Sequence, residues 1–394
     1  MTRPTFATSR RSMLGLLGAA VPFAAGAALA VGEEPAAADE GSHVPPGLRP
    51  GGEVDRLIRR LHSEGAFSGT VRVTRKGRTV LERSVGMADR ATGTANTRGT
   101  RFCVGSVTKM FTAVALLRLV QEHRVDLSAP IGTYLDGFAA DVARTVTPHH
   151  LLTHTSGLGD YMRVPGFFDE APGWATVADA WEGGLSFVRR DPLAFPAGGR
   201  HVYSNSGFYV LGAIVAAVSG RSYYDYVAEH VFARAGMRRS GFFTKDVWRS
   251  DTTIARPYQD GADVLESAHF HIGSPAGSSF ADAADLERFM NALYTDRLLN
   301  APHTHLATSP KGRRPDLPPD PSKPRLDTFY SYAPALRLVA DRDWAVGHGG
   351  GAPGVSANVE RYPRGEWVAV TLSNAGDRAT GPVDRLISDL ITGS

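Results

Sequence analysis

The chain has 394 residues, of which 42% are hydrophobic and 21% charged, the make-up of a globular protein long enough for a large core or two lobes. Its formal charge is +3, and Arg3, Arg10 and Arg11 account for all of it, because residues 1–30 contain no acid. The near-neutral remainder argues against nucleic acid as a partner, since phosphate contacts need a basic face.

In chain order, residues 9–30 read SRRSMLGLLGAAVPFAAGAALA. Paired arginines, a short apolar stretch and small residues at Ala28 and Ala30 follow the grammar of an export signal, too short and too rich in small residues for a good membrane span. The Ser-Arg-Arg opening resembles a twin-arginine signal, the kind that sends out an already folded protein. The expectation is a signal over residues 1–30, cleaved after Ala30 or Ala38, and an exported protein of the extracellular space or cell envelope with no membrane span once the signal is gone. Residues 31–50, rich in Ala, Glu, Pro and Gly, read as a linker, and residues 51–394 as one domain.

EVDRLIRRLHSE, from Glu53, has helical spacing, and GTVRVTRKGRTVLERSVGMAD, from Gly69, alternates like two strands turned at Lys76-Gly77. Cys103 is the single cysteine, so no intramolecular disulfide can form; in RFCVG it reads as a small buried hydrophobe before a reactive thiol. Helical patterns dominate from Phe111 to about Thr295. Residues 308–327, TSPKGRRPDLPPDPSKPRLD, are the clearest loop, and their basic residues read as solvated. Short strands return in YAPALRLVAD, WAVGHGG, VSANVERYP and EWVAVTLSN, and PVDRLISDLI closes as a helix. Strands at both ends with helices between them predict an α/β fold: one antiparallel sheet formed by N- and C-terminal segments and flanked by helices, with a mainly helical lobe, roughly 111–295, inserted.

Three short segments have the residue types for chemistry. The first is Ser106-Val107-Thr108-Lys109. Positive charge in this chain is nearly all arginine; of the lysines Lys76, Lys109, Lys245, Lys311 and Lys323, Lys109 alone has a serine three positions before it. A helix starting here makes Ser106 and Lys109 neighbours on one face and turns free backbone N–H groups toward negative charge forming beside Ser106. A serine hydroxyl becomes a nucleophile when a base takes its proton, and a lysine stripped of water can do so where arginine cannot.

The second segment is Tyr203-Ser204-Asn205, a polar turn ahead of an apolar helix. A phenol near a cationic lysine would have its pKa drawn down and could exchange protons with serine and leaving group, and Asn205 offers an amide to orient Lys109 and a substrate carbonyl. Taken alone, an N-cap with Tyr203 packed under the helix is the simpler account. The third is VGHGGGAPG, with His348 followed by Gly349, Gly350 and Gly351 between two predicted strands. Consecutive glycines signal a close approach to the backbone, and a substrate laid along this edge would meet bare N–H and C=O groups, including an oxyanion donor. A glycine turn is the alternative, which leaves the histidine unexplained.

GSVTK, YSN and HGG in that order, with LLTHTSGL at 151–158 between the first two, resemble the penicillin-recognising serine hydrolases. The matching branch holds class C β-lactamases, secreted D-alanyl-D-alanine carboxypeptidases, D-aminopeptidases and related esterases, and the resemblance runs from about Val54 to Ile391. It implies that Ser106 is acylated, that Lys109 and Tyr203 share the proton transfers and that Asn205 positions a substrate amide. His348 would stand where many members have the lysine of Lys-Thr-Gly, with Gly349 and Gly350 beside it on the substrate-binding edge, and the backbone N–H groups of Ser106 and Gly351 would form the oxyanion hole.

The implied protein is a serine hydrolase without cofactor, acting on small ester, amide or peptide substrates, D-Ala-D-Ala-type peptides included. A class C-like β-lactamase and a penicillin-binding sensor that never turns over are the alternatives. His348 and Gly349 replace a fixed charge and a hydroxyl, so a weak hold on a carboxylate and poor β-lactam hydrolysis are expected. His154 is expected to support the site structurally. No Gly-x-Ser-x-Gly elbow occurs, and the remaining histidines form neither His-Glu-x-x-His nor a cluster with cysteine, so no metal is expected.

Overall fold

Reversing a right-twisted strand in two residues calls for left-handed backbone at both. Lys76 (φ 48°) and Gly77 (φ 72°) provide it, and the alternating run around them folds as a hairpin. The computed structural model describes residues 44–393 apart from 269, 315–325, 333, 340 and 341. The expected signal and residues 31–43 of the expected linker lie outside the described residues. The linker's last residues are already part of the packed domain: Pro46–Leu48 form a 3₁₀ turn, and Leu48 is buried against the first helix.

The elements that place the site are α1 (Glu53–Ser63), β1 (Gly69–Arg75), β2 (Arg78–Val85), α2 (Thr108–Gln121), α3 (Asn205–Ser219), α4 (Ala283–Leu293), β3 (Gly312–Arg313), β4 (Leu326–Tyr330), β5 (Ala335–Val339), β6 (Asp343–Ala352), β7 (Val355–Tyr362), β8 (Trp367–Ser373) and α5 (Gly381–Thr392). Among the described residues the large sheet runs β2-β1-β8-β7-β6-β5-β4-β3, antiparallel throughout. Gly69 lies opposite Ser373 and Arg75 opposite Trp367, so the N-terminal hairpin is sewn onto the C-terminal strands. This is the mixed α/β architecture expected from strands at both ends of the chain.

Each face of the sheet has its own apolar layer. Val71, Val73 and Leu81 pack with Ile58 of α1 and Val383 and Ile387 of α5. Val359, Val370 and Leu372 face the helices, meeting Phe111 of α2 and Phe289 of α4 in the larger core. Covered on both sides, β8 is buried at every position, and its sequence WVAVTLS is accordingly a nearly continuous apolar run instead of an alternation.

Two expectations change. The glycines after His348 do not link two strands; they lie inside β6, where Gly349 pairs with Asn358, Gly350 with Ala357 and Gly351 with Ser356. The chain turns later, at Pro353-Gly354. The glycines are needed because a Cβ at Gly350 would stand 2.0 Å from the Val104 carbonyl oxygen: another stretch of backbone crosses the strand there. The 308–327 loop is also shorter than expected, since β3 and β4 pair across its two ends, Arg313 with Phe329 and Gly312 with Tyr330. A two-residue strand beside prolines leaves no alternation to read.

Candidate active site

The start of α2 is clamped from outside. Phe102–Cys103 pairs with Phe280–Ala281, Val104 N donates to Ser279 O (2.8 Å) and Ser278 N to Gly105 O (3.1 Å), and the Thr108 and Ser279 hydroxyls bond at 2.7 Å. Gly105, at φ 49°, opens a 3₁₀ turn through Ser106 that runs into α2. From Thr108 to Leu119 every residue of α2 is buried, the pattern of a helix inside the core. Lys109 is therefore carried inward and is 0% exposed.

Its Nζ donates to Asn205 Oδ1 (2.8 Å), Ser106 Oγ (3.1 Å) and the Ala276 carbonyl, and lies 4.7 Å from the centroid of the Tyr203 ring and 5.6 Å from that of Phe208. Burial, partly offset by the Asp160 carboxylate, brings its pKa down to about 7. An amine in this state is present near neutrality both as a proton donor and as a base.

Ser204 caps α3, its Oγ accepting from Gly207 N at 2.8 Å, but Tyr203 is not packed under the helix. That leaves the Tyr203 side chain 40% exposed, with its hydroxyl donating to Ser106 Oγ at 2.8 Å. Asn205 Nδ2 donates to Asp160 Oδ2 at 3.1 Å, which turns the amide oxygen toward Lys109. The Tyr203 pKa moves opposite to expectation: although part of the residue meets solvent, the protein packed around it strips enough water from the phenol to push the value up to about 12. Loss of water around the phenol is the largest cause and the Asp160 carboxylate adds to it, while the hydrogen bond to Ser106 and the Arg314 charge offset them only in part.

His154, in left-handed backbone at φ 57°, accepts from Ser204 N at Nδ1 (3.1 Å). Its ring lies against Tyr203 (4.6 Å) and Phe208 (5.0 Å), and burial drives its pKa well below the usual histidine value. A neutral ring of this kind braces Tyr203. His149 and His150 are likewise engaged locally, at Tyr332 Oη (2.5 Å) and in the Thr147 capping box.

On the facing strand, His348 Nδ1 donates to Gly349 O at 2.5 Å. Desolvation first, then the Lys109 charge, lowers its pKa to about 4, so the ring is neutral at pH 7, further from a cation than the sequence reading expected. With Nδ1 carrying the proton, Nε2 is left as an acceptor. A Cβ at Gly105 would lie 3.0 Å from Gly351 N, and one at Gly350 would lie 2.9 Å from Ser106 N. The two backbones whose N–H groups were candidates for an oxyanion hole thus run side by side, with Gly349 exposed beyond them.

Two cavities meet at Ser106. One, of about 540 Å³, is walled by aromatic residues including Tyr161, Phe167 and Trp174. The other, of about 880 Å³, is a polar groove bordered by Tyr203, Arg314, His348, Asp377 and Arg378. The structure therefore brings Ser106, Lys109, Tyr203, Asn205, His348 and the 349–351 backbone to one place. Sequence reasoning missed Asp160, two residues beyond the LLTHTSGL segment, and the Ala276 carbonyl, which as a backbone group leaves no mark in the sequence.

A family model described as Beta-lactamase matches residues 54–392. This chain belongs to the β-lactamase family. Within it, the chain is similar to PbpX of Bacillus subtilis, 35% identical over 251 residues that make up 62% of this chain and 60% of that protein. It is similar to the esterase EstB of Burkholderia gladioli, 35% identical over 216 residues, 52% of this chain and 53% of EstB. The matched segments thus span between half and two thirds of these relatives' lengths. Among solved structures, a penicillin-binding protein from Bacillus halodurans superposes with a TM-score of 0.73 at 29% identity, covering 84% of this chain and 98% of the other.

Proposed function

We propose that this member of the β-lactamase family is an exported serine hydrolase that cleaves ester or amide bonds of small molecules or peptides through an acyl-enzyme on Ser106. The observation that carries the reading is the position of Ser106 Oγ, 3.1 Å from a buried Lys109 Nζ and 2.8 Å from Tyr203 Oη. Neutral Lys109 takes the Ser106 proton as Oγ bonds to the substrate carbonyl carbon, and the backbone N–H groups of Ser106 and Gly351 receive the oxyanion. When the bond from that carbon to the leaving oxygen or nitrogen breaks, the leaving atom takes the Tyr203 proton, and the Lys109 ammonium returns one to Tyr203. Water then repeats the sequence in reverse and frees Ser106. Export rests on the signal-like residues 1–30.

The resemblance to EstB supports ester cleavage. A neutral His348 leaves the third motif without a positive charge, and losing a charge-assisted hydrogen bond to a carboxylate costs about 1.5–3 kcal/mol; this favours neutral esters and amides over β-lactams. The test is fluorophosphonate labelling followed by mass spectrometry, alongside turnover of p-nitrophenyl acetate and nitrocefin. The expected outcome is an adduct on Ser106 that disappears in Ser106→Ala, steady-state ester turnover, and nitrocefin at least tenfold lower in kcat/KM, a difference of about 1.4 kcal/mol. An adduct on another serine overturns the assignment, and a single stoichiometric burst without turnover makes the protein a penicillin-binding sensor.

A further inference from the structure

The carbon attacked by Ser106 carries, at the tetrahedral stage, Oγ, the oxyanion, the leaving atom and the acyl chain, and the protein treats the last two differently. Ser106 and Gly351 border both cavities, but Tyr203 and His348 border the polar groove and Asn205 the aromatic cavity. On the acyl-enzyme reading above, Tyr203 protonates the leaving atom, which must then lie on the groove side. The acyl chain is left the other direction, past Asn205 into the aromatic cavity.

What that cavity accepts follows from its walls. Tyr161 Oη donates to Ser274 Oγ (3.2 Å), Tyr224 Oη to Gly273 O (3.0 Å), Tyr209 Oη to Trp181 O (3.0 Å) and Trp248 Nε1 to Ala255 O (2.8 Å). These polar tips are committed to the protein, so most of what faces the space is ring and hydrocarbon, joined by Phe167 and Trp174, with Ser267 and Ser278 among the few polar side chains on the wall. A polar acyl group would give up its water and get few hydrogen bonds back, whereas an apolar one gains with each group buried.

We propose that the 540 Å³ cavity is an acyl pocket for aryl or medium-chain alkyl acyl groups, with the alcohol or amine portion of the substrate held in the polar groove. The substrate class is thus an ester or amide of an apolar acid with a polar leaving group.

Two ester series on the native protein test this, p-nitrophenyl esters from acetyl to octanoyl plus phenylacetyl, and acetates of alcohols of matching lengths. The expected result is kcat/KM rising about two- to fourfold per methylene, and so at least about 16-fold over the roughly four methylenes from acetyl to hexanoyl, with no comparable rise when the alcohol is lengthened. Ala268→Phe, on the cavity wall, should lower the hexanoyl-to-acetyl ratio at least fivefold. A flat or falling acyl series, a gain that follows the alcohol, or a folded Ala268→Phe variant with an unchanged ratio overturns the pocket assignment and leaves Ser106 acylation standing. No adduct on Ser106 and no turnover of any ester overturns the hydrolase reading and the pocket together. Should the variant not fold, the two native series decide.

Discussion

Three oxygens surround Lys109 Nζ, from Asn205, Ser106 and Ala276, yet burial holds its pKa near 7. If the neutral amine is the base, activity is absent where Lys109 is protonated and appears as the proton leaves. Accordingly, kcat/KM for a neutral ester should rise with pH through about 7 and level off above it, with the Tyr203 phenol, pushed up to about 12, still protonated across the plateau. Lys109→Arg keeps a charge but cannot give up its proton, so the variant should lose on the order of 10²-fold or more at every pH up to 9. An arginine variant with near-native turnover would refute the base role. That Ser106, Lys109, Tyr203 and Asn205 would meet was legible through the ordered motifs GSVTK, YSN and HGG; spacing alone linked only Ser106 to Lys109, and YSN by itself read as a helix cap. Burial was not legible, and it decides the direction of the Tyr203 shift; nor could the sequence point to Ala276, whose contribution is a carbonyl that any residue carries.

At the scale of the element, β6 does two jobs at once: it pairs along its length with β7 and lies against the backbone that leads into α2. These demands meet at Gly350, where a Cβ would fall 2.0 Å from Val104 O, whereas at Gly349 the nearest atom to a Cβ is 3.7 Å away. Gly350→Ala should push β6 away from Ser106 and lower kcat by about 10²-fold, the scale of a lost oxyanion donor. Gly349→Ala should stay within about threefold of the native protein. Equal activities for the two variants, measured on one ester, would remove the close approach as the reason for the glycines. The triple glycine in the sequence implies that something comes close to the backbone, but not whether strand pairing survives. Pairing survives because losing side chains costs a strand its packing but none of its N–H and C=O groups.

For the whole molecule, Arg10 and Arg11 set the expected route out of the cell. If residues 1–30 are the twin-arginine signal proposed above, replacing both by lysine keeps the charge and removes the pair that such a signal needs, so the precursor should accumulate inside; undiminished secretion of the double variant would point to the general secretory route. The sheet was legible at this scale because alternating segments at the two ends had to find partners, while its order, with β1 beside β8, depends on long-range pairing that a local pattern does not encode. That order has a consequence for biosynthesis. Ser373 bonds to Ser68 from 305 positions away, and Gly351 N reaches the Ser106 turn only when β6 has docked. A nascent chain on the ribosome therefore holds Ser106 and Lys109 long before it holds the strands that complete the site, and contacts so distant in sequence form slowly. The proposed hydrolytic competence should therefore arrive in a single late step, when β6 to β8 zip onto the hairpin of β1 and β2.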